Sequence, residues 1–130
     1  VAEHVALEVP ATPDALGVVR MVLGGLGAQL DFSLEQLDDL FLASERLLRA
    51  ALAAESPDRL QLDAEVDGPC LRVTVGPFFS AGLRERVACS RGRCLDLCTL
   101  LRGTLDEVAV EPRGEGFAVV MVKRAGSGGR

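Results

Sequence analysis

The chain has 130 residues, of which 48% are hydrophobic, 25% charged and 4% aromatic, with no Trp or Tyr and a formal net charge of −5. Such a chain suits a single folded domain with an aliphatic core and is not the composition of a disordered protein. Its acidity argues against direct nucleic-acid binding, which needs a basic face, and no apolar run approaches the roughly 20 residues that span a bilayer.

The first element is "HVALEVPA", residues 4–11, whose apolar and polar positions alternate up to Pro10 as in a strand. The opening "VAEHVALEVP" lacks the pattern of an export signal, so a cytoplasmic setting with free thiols is expected for the four cysteines. A helix follows in "TPDALGVVRMVLGGLGAQL", with Thr12 as N-cap, Pro13 at the first helical position, and Leu16, Val19, Leu23 and Leu26 at helical spacing. "GGLG" at 24–27 sits late in that helix. A phosphate-binding glycine motif opens a helix after a strand, so these glycines are expected to let the helix pack closely on the sheet.

Ser33 and Gln36 form a capping box for a second helix that runs to about Ala54. At 100° per residue, Leu34, Leu37, Leu40, Phe41, Leu47, Leu48, Ala51 and Leu52 share one broad core face, and Asp39, Arg46 and Ala50 fall together on the opposite side. Glu45 and Arg49 make an i,i+4 pair. "RLQLDAEVDG" and "CLRVTVGP" form a hairpin turned at Asp67-Gly68-Pro69, and "FFSAGLRERVACSRGR" is a loop or short helix. "CLDLCTLLRGTL" has a helical pattern, and "DEVAVEPRGEGFAVVMVKRA" is a second hairpin turned near Arg113-Gly114. The order β-α-α-β-β-loop-α-β-β implies an α+β fold, a two-layer sandwich with helices on one face of a mostly antiparallel sheet. Residues 1–124 form one domain in this reading, and "AGSGGR", residues 125–130, is a disordered tail.

Chemistry-bearing residues do not converge. His4, the one histidine, lies in the first strand, and Asp38, Asp39 and Glu45 are surface charges of a helix. No catalytic residues and no metal site are therefore expected. Cys89, Cys94 and Cys98 are spaced by four and three residues, unlike the short paired spacings of structural zinc sites, and only Cys70 or His4 could serve as a fourth ligand. Cys94 and Cys98 share a helix face with Leu101 and Leu105, which suits buried thiols acting as small hydrophobes. Cys89, beside Arg91 and Arg93, is the candidate redox thiol. A redox- or metal-responsive regulator is the corresponding functional alternative.

Element order and local wording, from "VALEVPATPDALGVVRMVL" through "AQLDFSLEQLDDLFLA" to "LDEVAV" and "VVMVKR", resemble the anti-sigma factor/serine kinase family of the histidine-kinase-like (GHKL) ATPase fold. In that family the second helix carries a Glu and, four residues on, an Asn that binds the magnesium of ATP. A D-x-G-x-G turn after the third strand holds adenine, and a G-x-G element opens the last helix beneath the phosphates. A gapless match puts Arg46 and Ala50 at the Glu and Asn positions, Val75 or Gly76 at the adenine Asp, and "RCLDLC", with Cys94 and Asp96, at the G-x-G. None of these side chains suits its nucleotide role, since a guanidinium has no acceptor atom for a metal and bulky side chains crowd backbone amides away from phosphate. The resemblance thus implies a degenerate ATP site, no cofactor and no enzymatic activity, with an active serine kinase of the same family as the alternative. By the same resemblance, Arg20 in "GVVR" is the partner-binding arginine of the first helix, with Asp14, Gly17 and Met21 on the same surface. The implied partners are a sigma factor and an anti-anti-sigma protein of the STAS type, without nucleic acid or membrane, and the family also allows a homodimer.

Overall fold

The structure, a computed structural model, describes residues 3–88 and 97–126. Its elements run β1 (Glu3–Pro10), α1 (Ala15–Gln29), α2 (Leu34–Glu55), β2 (Arg59–Asp67), β3 (Cys70–Phe78), α3 (Ala81–Ala88), α4 (Leu97–Thr104), β4 (Glu107–Arg113) and β5 (Gly116–Arg124). The strands form one sheet in the order β1-β2-β3-β5-β4, with every neighbouring pair antiparallel. This is the α+β two-layer sandwich expected from the element order, and the stretch read as a loop or short helix contains α3.

Strand alternation decides which side of the sheet is covered. Val5, Leu7 and Val9 of β1, Leu60, Leu62 and Ala64 of β2, Val73 and Val75 of β3, and Val119 and Met121 of β5 pack into one core with the helices. Positions of the other parity, such as His4, Glu65 and Arg72, line up across the opposite face. The core is closed by Val19, Leu23 and Leu26 of α1, Leu40, Ala43, Leu47, Leu48 and Ala51 of α2, and Leu83, Val87 and Leu101 of α3 and α4. Each fully buried Leu contributes about 1.5–3 kcal/mol relative to exposure.

The helix ends differ in how well they are specified. Ser33 Oγ accepts from Gln36 N at 3.1 Å and Gln36 Oε1 accepts from Ser33 N at 2.8 Å, completing the predicted capping box. In α1 the N-cap is Asp14 instead of Thr12, without a side-chain cap bond. Thr12 and Pro13 are spent in a tight turn before the helix, where the carbonyls of Thr12, Pro13 and Asp14 accept from Ala15, Leu16 and Gly17, each three residues on.

Two packing expectations are corrected. A methyl added at Gly24 would lie 3.3 Å from Phe41 Cζ, and one at Gly27 would lie 2.6 Å from Leu37 Cδ2 and 3.0 Å from Phe32 Cδ2. The glycines therefore bring α1 against α2 and the intervening turn, not against the sheet. In α2, Leu34 is 76% exposed, whereas Ala43 and Ser44 are buried. Ala50 packs on the core and Asp39 Oδ2 lies 3.4 Å from Lys123 Nζ, so the stripe of Asp39, Arg46 and Ala50 flanks the buried face without opposing it. The cause is that α2 packs on α1, α3 and α4 as well as on the sheet, which widens and rotates its buried arc.

Polar ties fasten the layers. The ammonium of Lys123, nearly buried, donates to Thr104 O at 2.7 Å, placing a cation at the C-terminus of α4 where the helix dipole favours it. Glu55 Oε2 accepts from Ser80 N at 2.6 Å and from Phe79 N at 2.5 Å, joining the last turn of α2 to the start of α3. Asp106 Oδ2 accepts from Arg124 N at 2.7 Å, closing the "LDEV" segment onto β5.

Candidate functional site

The partner residues suggested by the sequence lie together on α1. Asp14, Gly17, Arg20 and Met21 are all exposed, with Met21 at 76%, and their spacing sets them along one outward stripe. Arg20 leans from that stripe toward α2, its guanidinium carbon 4.5 Å from the centroid of the Phe41 ring. Among the described residues Arg20 makes no ion pair, so its planar fork is held by the ring while its N–H groups remain available to a carboxylate.

Beside Arg20 lies a pocket of about 150 Å³ between α1 and α2. Leu16, Val19 and Leu23 wall it from α1, and Phe41, Ser44 and Leu48 from α2, with Arg20 and Glu45 supplying charge. Ser44 is only 4% exposed, and among the described residues its Oγ has no hydrogen-bond partner. Glu45 Oε2 accepts from Arg49 Nε at 2.9 Å, as the i,i+4 spacing suggested. Sequence reading does not point to Phe41 or Ser44 as site residues, and it gives Glu45 as a surface charge paired with Arg49, recovered at the family's Glu position only by a one-residue shift that places Arg49 at the Asn. The available signal was a serine at position 44, beside Leu47 and Leu48 on the buried arc of an amphipathic helix.

The positions matched to nucleotide-binding roles are scattered in character. Arg46 is exposed and Ala50 half-buried on α2. Val75 is fully buried in the core, and a Cβ at Gly76 would meet Ala118 Cα and Phe117 O at 3.0 Å, so β5 leaves no room for a side chain there. Cys94, Asp96 and Cys89 lie outside the described residues. A guanidinium and a methyl group do not fit a magnesium ion, having no acceptor atom. Among the described residues no group of three or more His, Cys, Asp or Glu side chains could hold a metal. His4 Nε2 lies 3.4 Å from Asp63 Oδ1 on the face of the sheet away from the helices.

Two thiols are described. Cys98 is fully buried, as a small filler would be. Arg102 Nε donates to its Sγ at 3.2 Å. Cys70 is free and half-buried on β3, opposite Arg124. The Arg124 guanidinium is held above its ordinary value first by its hydrogen bond to Cys70, with Asp106 and Glu107 adding in the same direction.

No protein-family model matches the chain. Over 59 residues it is 29% identical to the serine-protein kinase RsbW of Bacillus subtilis (strain 168). The match spans 45% of this chain and 37% of that protein. This similarity agrees in coarse terms with the anti-sigma factor/serine kinase resemblance, and it corrects the expectation of a protein without enzymatic activity, because the named relative is a kinase. That expectation rested on side-chain identity at a few matched positions. Phosphoryl transfer depends on positioning and electrostatic stabilisation, which other side chains and backbone amides also supply. Among the described residues no helix is long and apolar enough to cross a membrane.

Proposed function

We propose that this chain regulates a sigma factor and belongs to the serine-protein kinase class of such regulators. It holds the sigma factor through the exposed stripe of α1 and gives it up when an anti-anti-sigma protein of the STAS type competes for the same residues. Under this reading it works in the cytoplasm, on protein partners, without contacting nucleic acid or membrane. The observation that carries it is the Arg20 stripe, in a chain similar to a serine-protein kinase. Arg20 is exposed, stacked and without an ion-paired carboxylate among the described residues, and Met21 and Gly17 beside it supply apolar and open surface for a partner to cover. A bidentate arginine set in apolar surroundings is a common interface anchor.

The activity in the relative's name forms the second half of the reading, with a serine of the anti-anti-sigma protein as the phosphoryl acceptor. Two measurements test the halves separately. Co-expression with each sigma factor of the same genome is expected to yield a stable complex that the Arg20→Glu variant does not form. Incubation with Mg-ATP and the anti-anti-sigma protein is expected to add one phosphoryl group to that protein by mass spectrometry. An unmodified acceptor would overturn the kinase half and leave the binding half to the first experiment.

A further inference from the structure

A second cavity, of about 310 Å³, lies between α3, α4 and the edge strand β4, and shares no lining residue with α1 or α2. Strand alternation turns Val108 and Val110 of β4 toward the helices, where they floor the cavity, and turns Glu107 and Glu111 to the opposite face. Val87 and Ala88 wall it from α3, with Arg84 one turn before Ala88, and Arg102 stands on α4. These two arginines are the only charged or polar side chains in the lining, and both are exposed. Each is steadied by one contact. The guanidinium carbon of Arg84 is 5.8 Å from the centroid of the Phe117 ring, and Arg102 Nε donates to Cys98 Sγ at 3.2 Å. The terminal N–H groups of both forks are left for a ligand. In a chain of net charge −5, two cations around one cavity with no carboxylate in its lining reverse the charge locally. The C-terminal ends of α3 and α4 oppose this with roughly half a negative charge each, which two full charges exceed, and Lys123 already offsets the end of α4.

We propose that this cavity binds a small phosphate monoester with an apolar body, the phosphate held between Arg84 and Arg102 and the body lying on Val108 and Val110. A monocarboxylate has two oxygens and is satisfied by one fork, leaving the second guanidinium unused. A phosphate monoester carries a charge of about −1.5 to −2 at neutral pH and three acceptor oxygens, enough for both forks. The valine floor sets the body, since no side chain besides the arginines can hydrogen-bond to a sugar or a base. The volume sits at the small end of ligand pockets, which run from about 300 to 1,000 Å³, and suits one small molecule. The inference stands apart from the reading of the α1 stripe, so either can fail without the other.

The test titrates the whole chain with phenyl phosphate at low salt and follows amide chemical shifts. Saturable shifts are expected at Val87, Ala88, Val108 and Val110, with a dissociation constant on the order of 1 mM. Two further probes separate the parts of the ligand. Benzoate, a ring with a single charge, is expected to bind at least about fivefold more weakly. O-phosphoserine, which carries the same phosphate on a polar body as a phosphorylated protein would, is expected to bind about fivefold more weakly for want of apolar contact. Arg84→Gln and Arg102→Gln are each expected to weaken phenyl phosphate by about tenfold. Both variants should melt within about 2 °C of the parent, because the replaced side chains are exposed, so lost binding is not lost folding. Absence of saturable shifts, or parent-like binding by either variant, would overturn the paired-arginine site. Equal binding of benzoate would overturn the assignment to a phosphate, and equal binding of O-phosphoserine would overturn the apolar body.

Discussion

The stack of Arg20 on Phe41 would fix the proposed partner-binding arginine before any partner arrives, and it can be measured in the free protein. The guanidinium carbon is 4.5 Å from the ring centroid, inside the range of about 6 Å over which a cation feels the ring quadrupole. Arg20 is exposed, so water screens the contact and the coupling is expected near the low end, about 0.5–1 kcal/mol. A double-mutant cycle isolates it: Arg20→Ala, Phe41→Leu and the pair, each unfolded in urea and followed by far-UV circular dichroism, since the chain has no Trp. Phe41→Leu alone is expected to cost about 1–2 kcal/mol, because the ring is half-buried and lies tight on α1 at Gly24. Arg20→Ala alone is expected to cost little beyond the coupling, since alanine suits a helix interior. A coupling below about 0.3 kcal/mol, near the error of such cycles, would show that the guanidinium swings free of the ring and would refute the pre-organised fork.

Other perturbations test the frame that positions this surface. Gly76→Ala forces a Cβ to within 3.0 Å of Ala118 Cα and Phe117 O at a residue whose φ is +154°, so thermal unfolding should reveal a loss of about 2–4 kcal/mol. A parent-like melting temperature would mean that β3 and β5 separate there at little cost. Lys123→Met should cost about 1–3 kcal/mol in chemical denaturation by leaving Thr104 O and Asp39 without their cation, with Lys123→Arg retaining part of the stability. Glu55→Gln should cost about 1–2 kcal/mol and speed amide exchange at Phe79 and Ser80, because one carboxylate oxygen accepts from both.

Much of the fold was legible because its signals are local. Period-two alternation in residues 4–11 and 59–75 and the Ser33–Gln36 box translate directly into β1, β2, β3 and the start of α2. Turns at Gly68 and Gly114, both at positive φ, were likewise written in the dipeptides around them. What stayed hidden depends on neighbours distant in sequence. A helical wheel assumes one buried side, whereas α2 is enclosed by α1, α3, α4 and the sheet, so Ser44 is inside and Leu34 outside. The "GGLG" stretch announced a close approach without naming its partner, which is the Phe32, Leu37 and Phe41 cluster. Thr12 reads as the cap because Pro13 follows it at the first helical position, but the tight turn at residues 12–14 moves the helix start to Asp14. The pocket could not be read at all, since it needs two helices at a particular separation.

The most direct test of the account is the affinity of the purified chain for a sigma factor of its own genome, measured by calorimetry for the parent and for Arg20→Glu at matched salt. The account predicts a stable complex with the parent and a loss of at least about 30-fold on charge reversal, as expected when a carboxylate partner loses its arginine. Equal affinity of parent and variant would contradict it, because the stripe of α1 would then not be the surface that holds the partner.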